Sequence, residues 1–287
     1  MEKDILAVLA NGKGGFSKGQ KRIAEYILEN YDKAAFMTAG RLGDAAGVSE
    51  STVVRFAAEL GYDSYPGMRK ALQEMIRSRL TSVQRIEVAR QTLDTDNVIR
   101  SVINADMETL ESTLSECGRE SFDAAVDAII SAKHGYIVGM RSSTCLASFL
   151  GFYFNLLLEN VYIIHDTAVS EVYEQMMRIK EGDVFIGISY PRYSSRTVRA
   201  MKFAKSTGAS VIGITDADSS PFVGVADTLL YAKSNMVSFL DSLVAPMSLI
   251  NALIVSVGAK LKTDISSTFS RLECIWKDYE VYETGEV

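Results

Sequence analysis

Histidine, tryptophan, proline and cysteine are scarce in this chain: two, one, four and three residues in 287. Three cysteines are an odd number, and Cys117, Cys145 and Cys274 are scattered. That excludes a disulfide framework or a metal-ligand cluster and reads as free thiols in a reducing compartment. The histidines His134 and His165 leave little for acid–base chemistry near neutral pH. No apolar run is long enough to span a membrane, and Ile5 to Ala10 is too short and wrongly flanked for a signal peptide. A cytoplasmic protein with no membrane partner is expected. The glycines at 12, 14 and 15 mark a loop, because no strand and no Gly-Lys-Ser/Thr sequence frame them as a phosphate cradle. No metal and no cofactor is expected.

What is present is globular: 47% hydrophobic and 23% charged residues, in a chain long enough for two domains. The net charge of −6 is uneven. Residues 1–80 hold 12 Lys and Arg against 10 Asp and Glu, while the remainder holds 18 against 26. The small basic excess therefore sits in the first eighty residues, and a nucleic-acid reader there needs a second copy to gather enough phosphate contacts. A homodimer or tetramer is expected.

Thr38 to Leu60 reads as two short helices around a tight corner. Leu42, Ala45 and Ala46 point inward on the first, Gly47 makes the turn and Val48 plugs it. Ser49 is placed to cap the second helix, on which Val53, Val54, Ala57 and Leu60 face the core. Ser49, Glu50, Ser51, Thr52 and Arg55 are left for the outer surface. Small polar residues in a first turn, with an arginine one turn later, suit a helix that enters the major groove of double-stranded DNA. An ordinary antiparallel helix pair is the plainer alternative. Before this motif, Ser17 caps a helix carrying Ile23, Ala24, Ile27 and Leu28. After it, Pro66 lies near the start of a helix with Met68, Leu72, Met75 and Ile76 inward and Arg69, Lys70, Arg77 and Arg79 outward. An all-α helix-turn-helix domain over 1–80 results, followed by a linker and connecting helix over 81–120.

After residue 132 the period changes. After a helix at 121–132, five short runs rich in branched residues (136–140, 161–164, 184–188, 210–214 and 228–231) alternate mostly with helical segments at 144–158, 168–179 and 195–207. Strands buried on both faces between helices predict a five-stranded parallel sheet flanked by helices. That α/β domain is placed at 121–262, with a tail at 263–287. A long apolar helix over 235–261 is expected, kinked or split at Pro246, and buried in the core or in a subunit interface. Trp276 reads as packing.

In such sheets ligands sit beyond the carboxyl ends of strands, near helix N-termini. Two of those ends, Gly139 to Thr144 and Ser189 to Ser195, each offer hydroxyls, an arginine and free backbone N–H groups. That is what a phosphate ester requires. Arg141, Ser142, Ser143, Ser189, Arg192, Ser194 and Ser195 are the candidates; taken singly, each serine could be only a helix cap.

Gly139-x-Arg141-x-Ser143 with Ala147, together with Ser189-Tyr-Pro-Arg-Tyr-Ser194, resembles the paired phosphosugar loops of sugar isomerase (SIS) domains. Preceded by AGVSESTVVRFAAELGYDSY, the combination resembles the RpiR family of bacterial sugar-responsive transcription regulators. The resemblance implies a helix-turn-helix domain before a SIS domain, and sugar-gene regulation in response to a phosphorylated sugar effector. It matches Ser143, Ser189 and Ser194 to the hydroxyls that hold phosphate. Arg141 stands where the SIS loop usually has glycine, and Pro191-Arg192 where the second loop often has Ser-Gly. The two arginines either clamp the anion or partly fill the site. A sugar-phosphate isomerase-like enzyme with an accessory helical domain is the alternative, and a scaffold with vestigial sites a third. Isomerisation needs a base beside the sugar carbons. His165, with Glu171 and Glu174 on the following helix, lies on the ligand side, but no catalytic constellation is demanded, and a non-enzymatic regulator explains more of the chain.

Overall fold

Ser17 starts the first helix whose boundary is fully specified. Its side chain accepts from the Gln20 backbone N–H, and the Gln20 side chain reaches back to the Ser17 N–H, a reciprocal capping box. In the computed structural model, residues 5–12, 15–77, 80–92, 96–165, 168–236, 239–261 and 265–282 are described. Helices α1 (Ile5–Asn11), α2 (Lys18–Glu29), α3 (Tyr31–Ala34), α4 (Ala39–Ala46), α5 (Glu50–Glu59), α6 (Tyr65–Arg77), α7 (Ser82–Thr92), α8 (Val98–Glu116) and α9 (Arg119–Ser131) come first. There follow β1 (Gly135–Gly139), α10 (Thr144–Leu157), β2 (Val161–Ile164), α11 (Val169–Gln175), β3 (Val184–Ile188), α12 (Ser195–Ser206), β4 (Ser210–Thr215) and β5 (Thr228–Tyr231). Helices α13 (Val244–Lys260) and α14 (Ile265–Asp278) end the chain. It divides into two compact units, Met1–Glu108 with Asn235–Ser242, and Thr109–Ser234 with Leu243–Val287.

The first unit is helical around one core that includes Leu9, Ile27, Leu42, Phe56, Leu72 and Ile76. Several expectations change here. Helix α1 buries Ile5 and Leu9. On α4 the buried residues are Ala39, Leu42 and Gly43; Ala46 packs half-buried on the core as expected, but Ala45 is exposed. A Cβ on Gly43 would stand 2.8 Å from the Val48 carbonyl oxygen, so the corner folds back on α4 where there is no side chain. Gly47 turns the corner at φ 65° as expected. On α5 the inward set is Val53, Phe56, Ala57 and Leu60, whereas Val54 is 44% exposed. Phe56, not Val54, completes the i, i+3, i+4, i+7 stripe, because Val54 falls 100° away from Val53 on the helix. Arg69 and Lys70 are not buried on α6, while the Arg77 side chain and Arg79 lie outside the described residues.

The segment Asn235–Ser242 belongs to this unit too, and so corrects the expected 235–261 helix. Met236 packs on the helical core, Met236 and Asp241 form an isolated antiparallel bridge, and Asp241 accepts from Arg85 Nη1 at 2.8 Å. The helix starts only at Val244. Pro246 lies in its first turn, where a missing N–H costs nothing, so it opens the helix and does not kink it.

The second unit holds one parallel sheet in the order β2-β1-β3-β4-β5. Successive residues of β3 alternate between two cores. Val184, Ile186 and Ile188 face the layer of α9, α10 and α13, and Phe185 faces the layer of α11 and α12. Both layers are apolar, so the strands read as continuous hydrophobic runs. Because β1 continues into α10 and β3 into α12, the chain leaves neighbouring strands toward opposite layers. That opens a crevice at their carboxyl ends.

Candidate functional site

On α5, Glu50, Ser51, Arg55 and Glu59 are exposed and Thr52 is half-buried. Ser49 occupies the cap position, but its hydroxyl makes no cap to the backbone. It instead lies 2.9 Å from Ser51 Oγ and 2.8 Å from Thr52 Oγ1, which corrects the capping role expected of it. Three hydroxyls are thus gathered at the exposed start of the helix. Arg55 Nε donates to the Ser51 carbonyl at 3.3 Å, folding its guanidinium back over that turn. Arg22 on α2, which sequence reasoning missed, donates to the Gly47 carbonyl at 3.3 Å and stands beside the corner. Lys18, Lys21 and Arg22 are all exposed on α2. The basic triplet at that spacing is the signal that would have found them.

The two loops of the second unit leave from the same level of the sheet, since Gly139 of β1 pairs in register with Ile188 of β3. The first loop doubles back tightly. A Cβ on Gly139 would lie 2.3 Å from the Ser143 carbonyl oxygen, so only glycine fits the strand end. Arg141 to Ser143 then make a 3-10 turn that runs into α10, with Thr144 Oγ1 donating to the Gly139 carbonyl at 2.9 Å. Ser143 is buried, while Arg141 and Ser142 are exposed.

In the second loop Ser189 is buried and accepts from the Ser194 backbone N–H at 3.0 Å. Ser194 caps α12, accepting from the Thr197 N–H at 3.4 Å. Ser189 and Ser194 thus brace the loop as acceptors and keep their hydroxyl protons for donation. Ser195 and Arg192 are exposed. The Tyr193 hydroxyl donates to Asp216, just past β4, at 2.9 Å and ties this loop to the next strand end.

Arg141 and Arg192, one in each loop, hold φ of 57° and 61°. Both have kept the left-handed backbone that a glycine would adopt freely, at a cost of about 1–2 kcal/mol each. Two further side chains were missed. Thr197 Oγ1, on the first turn of α12, is fully buried with no hydrogen-bond partner; its signal was the Ser194-x-x-Thr197 spacing. The Tyr190 hydroxyl is likewise buried and unpartnered, and burial first, then the nearby Asp216 charge, raises its pKa well above the ordinary value. A buried polar group left without a partner marks a place where a water or ligand completes the bonding.

The two histidines lie at opposite ends of the sheet, with only His165 at the carboxyl end. His134 sits before β1, at the amino ends of the strands, with Nδ1 2.7 Å from the buried Asp183 carboxylate. His165 is exposed after β2, its backbone N–H held by Gln175. Among the described residues no group of three His, Cys, Asp or Glu could hold a metal ion, and no helix is long and apolar enough to cross a membrane.

The helix-turn-helix domain of the rpiR family matches residues 3–79, and the SIS domain matches residues 128–256. The chain belongs to the RpiR family. It is a transcriptional regulator that joins the two modules, as the sequence resemblance implied. An uncharacterised HTH-type transcriptional regulator of Caldanaerobacter subterraneus is 25% identical over 279 residues, covering 91% of this chain and 93% of its own. The HTH-type transcriptional regulator HexR of Pseudomonas aeruginosa is 26% identical over 223 residues, 76% and 75% of the two chains. Among solved structures, Vibrio vulnificus NanR complexed with ManNAc-6P superposes with a TM-score of 0.59. It is 20% identical and covers 96% of this chain and 99% of its own, a likeness of fold.

Proposed function

We propose that this RpiR-family regulator binds operator DNA through α5 as a homo-oligomer. A phosphorylated sugar held between the β1 and β3 loops changes that affinity without being turned over. The observation that carries the reading is the pairing of two hydroxyl-rich loops at adjacent strand ends, at the point where the chain departs to opposite layers. Each brings an arginine into the left-handed region. Ser143, Ser189, Ser194 and Thr197 supply hydroxyls to the phosphate, and the first turn of α12 supplies N–H groups and the positive end of its dipole. Arg141 and Arg192 are exposed at the mouth and add charge. That NanR is described in complex with a sugar phosphate supports the same ligand class.

On the DNA side, Ser49, Glu50, Ser51, Thr52 and Arg55 form the reading surface, and Lys18, Lys21 and Arg22 contact phosphate beside it. Arg22→Ala should then weaken binding to all sequences alike, while Arg55→Ala relaxes specificity.

Isothermal calorimetry against a panel of sugar phosphates and their unphosphorylated parents tests the ligand. The phosphorylated form should bind far more tightly, because charge-assisted bonds dominate. Ser143→Ala combined with Ser189→Ala should abolish that binding while ligand-free DNA affinity persists. Equal binding of the unphosphorylated sugar, or enzyme-like turnover of the phosphorylated one, contradicts the proposal.

A further inference from the structure

Strand β5 ends at Tyr231 and α13 starts at Val244, so twelve residues, 232–243, join that strand to the next helix. Connections of that kind usually take about 2–6 residues, so the extra length needs a reason. The segment also leaves its own unit. Asn235–Ser242 belongs with the helical unit, whereas the chain up to Ser234 and again from Leu243 belongs with the sheet. The Ser242 backbone N–H donates to the Asn235 carbonyl at 2.9 Å, which closes this excursion at its base into a strap.

Within the helical unit the strap is fastened by Met236 on the core and by Asp241, which pairs with Arg85 Nη1 of α7 at 2.8 Å. The Arg85 and Asp241 side chains are 3% and 17% exposed, while Phe239 and Leu240 are exposed and add little to the hold. A buried ion pair is all-or-none, because loosening it leaves two desolvated charges uncompensated. It is a latch with two states, not a spring. On the sheet side, the Ala232 N–H donates to the Thr215 carbonyl at the end of β4 at 2.8 Å, and Thr215, Ala232 and Ser234 are fully buried. Asp216, next to Thr215, accepts from the Tyr193 hydroxyl, and Tyr193 directly precedes Ser194 of the second loop. Each step from that loop to the root of the strap is therefore a covalent bond or a hydrogen bond. A packed interior transmits displacement along such a path.

We infer that the 235–242 strap is the element through which an occupied sugar site acts on the helical unit. An anion drawn onto Ser189 and Ser194 shifts Tyr193. Asp216 and the exit of β5 follow, and the latched strap carries the shift to α7. Coupling between sites needs an element with two discrete arrangements that both sites bias, and the Arg85–Asp241 latch is that element. The inference rests on the proposed ligand site and adds the route of its regulation. Helix α8 also runs from one unit into the other, between Glu108 and Thr109, so a test has to separate the two routes.

Hydrogen exchange of the full chain, read by mass spectrometry in a double-mutant cycle, is the test. Tyr193→Phe cuts the bond to Asp216. It should change exchange at 232–242 and at 80–92 by about fivefold or more, the low end of coupling between sites. Asp241→Asn should itself speed exchange at 80–92 by about tenfold or more, and in that background Tyr193→Phe should add nothing there. If Asp241→Asn melts too low to be read, Arg85→Lys, which keeps the charge and loses the bond geometry, takes its place. Inorganic phosphate at millimolar concentration is the ligand probe. It should slow exchange at 139–144 and 189–195 in wild type and in the latch variant, and change it at 80–92 in wild type only. Loops that phosphate leaves unchanged count against the proposed function, and the Tyr193→Phe cycle then decides the strap without a ligand. An effect of Tyr193→Phe that never reaches 80–92 overturns the inference. So does an equal effect with and without the latch, which assigns the route to α8, or protected loops with 80–92 unchanged.

Discussion

Arg141 and Arg192 occupy backbone positions that favour glycine, and each does so in a loop placed for an anion. Nothing in local folding favours that choice, so a gain elsewhere must offset it, and strain of this kind collects at binding sites. Replacing either arginine by glycine should raise stability by about 0.5–1 kcal/mol in chemical denaturation, because the left-handed strain is relieved. The same variants should bind sugar phosphate more weakly in calorimetry. Stability unchanged or lower, with ligand affinity intact, would mean that the arginines neither strain the loops nor hold the anion. Sequence reading found both residues from their place after a strand. It did not see the paired φ values, which depend on how each loop folds back over its strand. Nor did it find Thr197, whose burial is set by packing of α12 on the sheet.

At the scale of elements, helix α5 was read correctly in position and by one residue incorrectly in face. Val53, Ala57 and Leu60 fit two overlapping stripes, and only contact with the neighbouring helices selects Phe56 over Val54. Gly43 shows the same limit. Its need for glycine comes from the corner after α4, where the Val48 carbonyl and the start of α5 fold back against it, a closure its position on the helix does not reveal. Gly43→Ala should therefore destabilise the helical unit by about 2 kcal/mol, an overpacking cost, measured by denaturation of the full chain. A neutral effect would show that α4 and α5 part easily.

The central strands β1, β3 and β4 were legible because burial on both faces makes each a continuous apolar run. Segment Asn235–Ser242 was not, since its role depends on docking with residues far away in sequence, such as Arg85. Between β4 and β5, burial pushes the Asp227 pKa up. Hydrogen bonds from Lys205 and the Val211 N–H, with the Lys205 charge, bring it net below the ordinary value of 3.8. A depressed folded-state value means that Asp227 contributes stability above its unfolded-state value, lost as pH falls through the folded one. The pair is partly solvated, so the contribution is modest. Asp227→Asn should be less stable than wild type near neutrality, and thermal melts should show the gap closing as pH drops below about 4. A gap independent of pH would remove the ionic explanation.

For the whole molecule, the two modules impose an energetic condition. A sugar phosphate that binds equally well to the DNA-competent and DNA-incompetent forms shifts nothing, however tightly it binds. Regulation therefore requires a coupling free energy, typically about 1–3 kcal/mol, and it must be reciprocal: DNA changes sugar-phosphate affinity by the same factor. The direct measurement is a fluorescence-anisotropy titration of labelled operator DNA at fixed salt, with and without a saturating sugar phosphate, on wild type and on the Ser143→Ala/Ser189→Ala variant. The account predicts that the ligand changes the wild-type dissociation constant by about 5–150-fold and leaves the variant unchanged, with equal ligand-free affinities. Ligand that binds the SIS domain tightly yet leaves the wild-type operator curve where it was would contradict it.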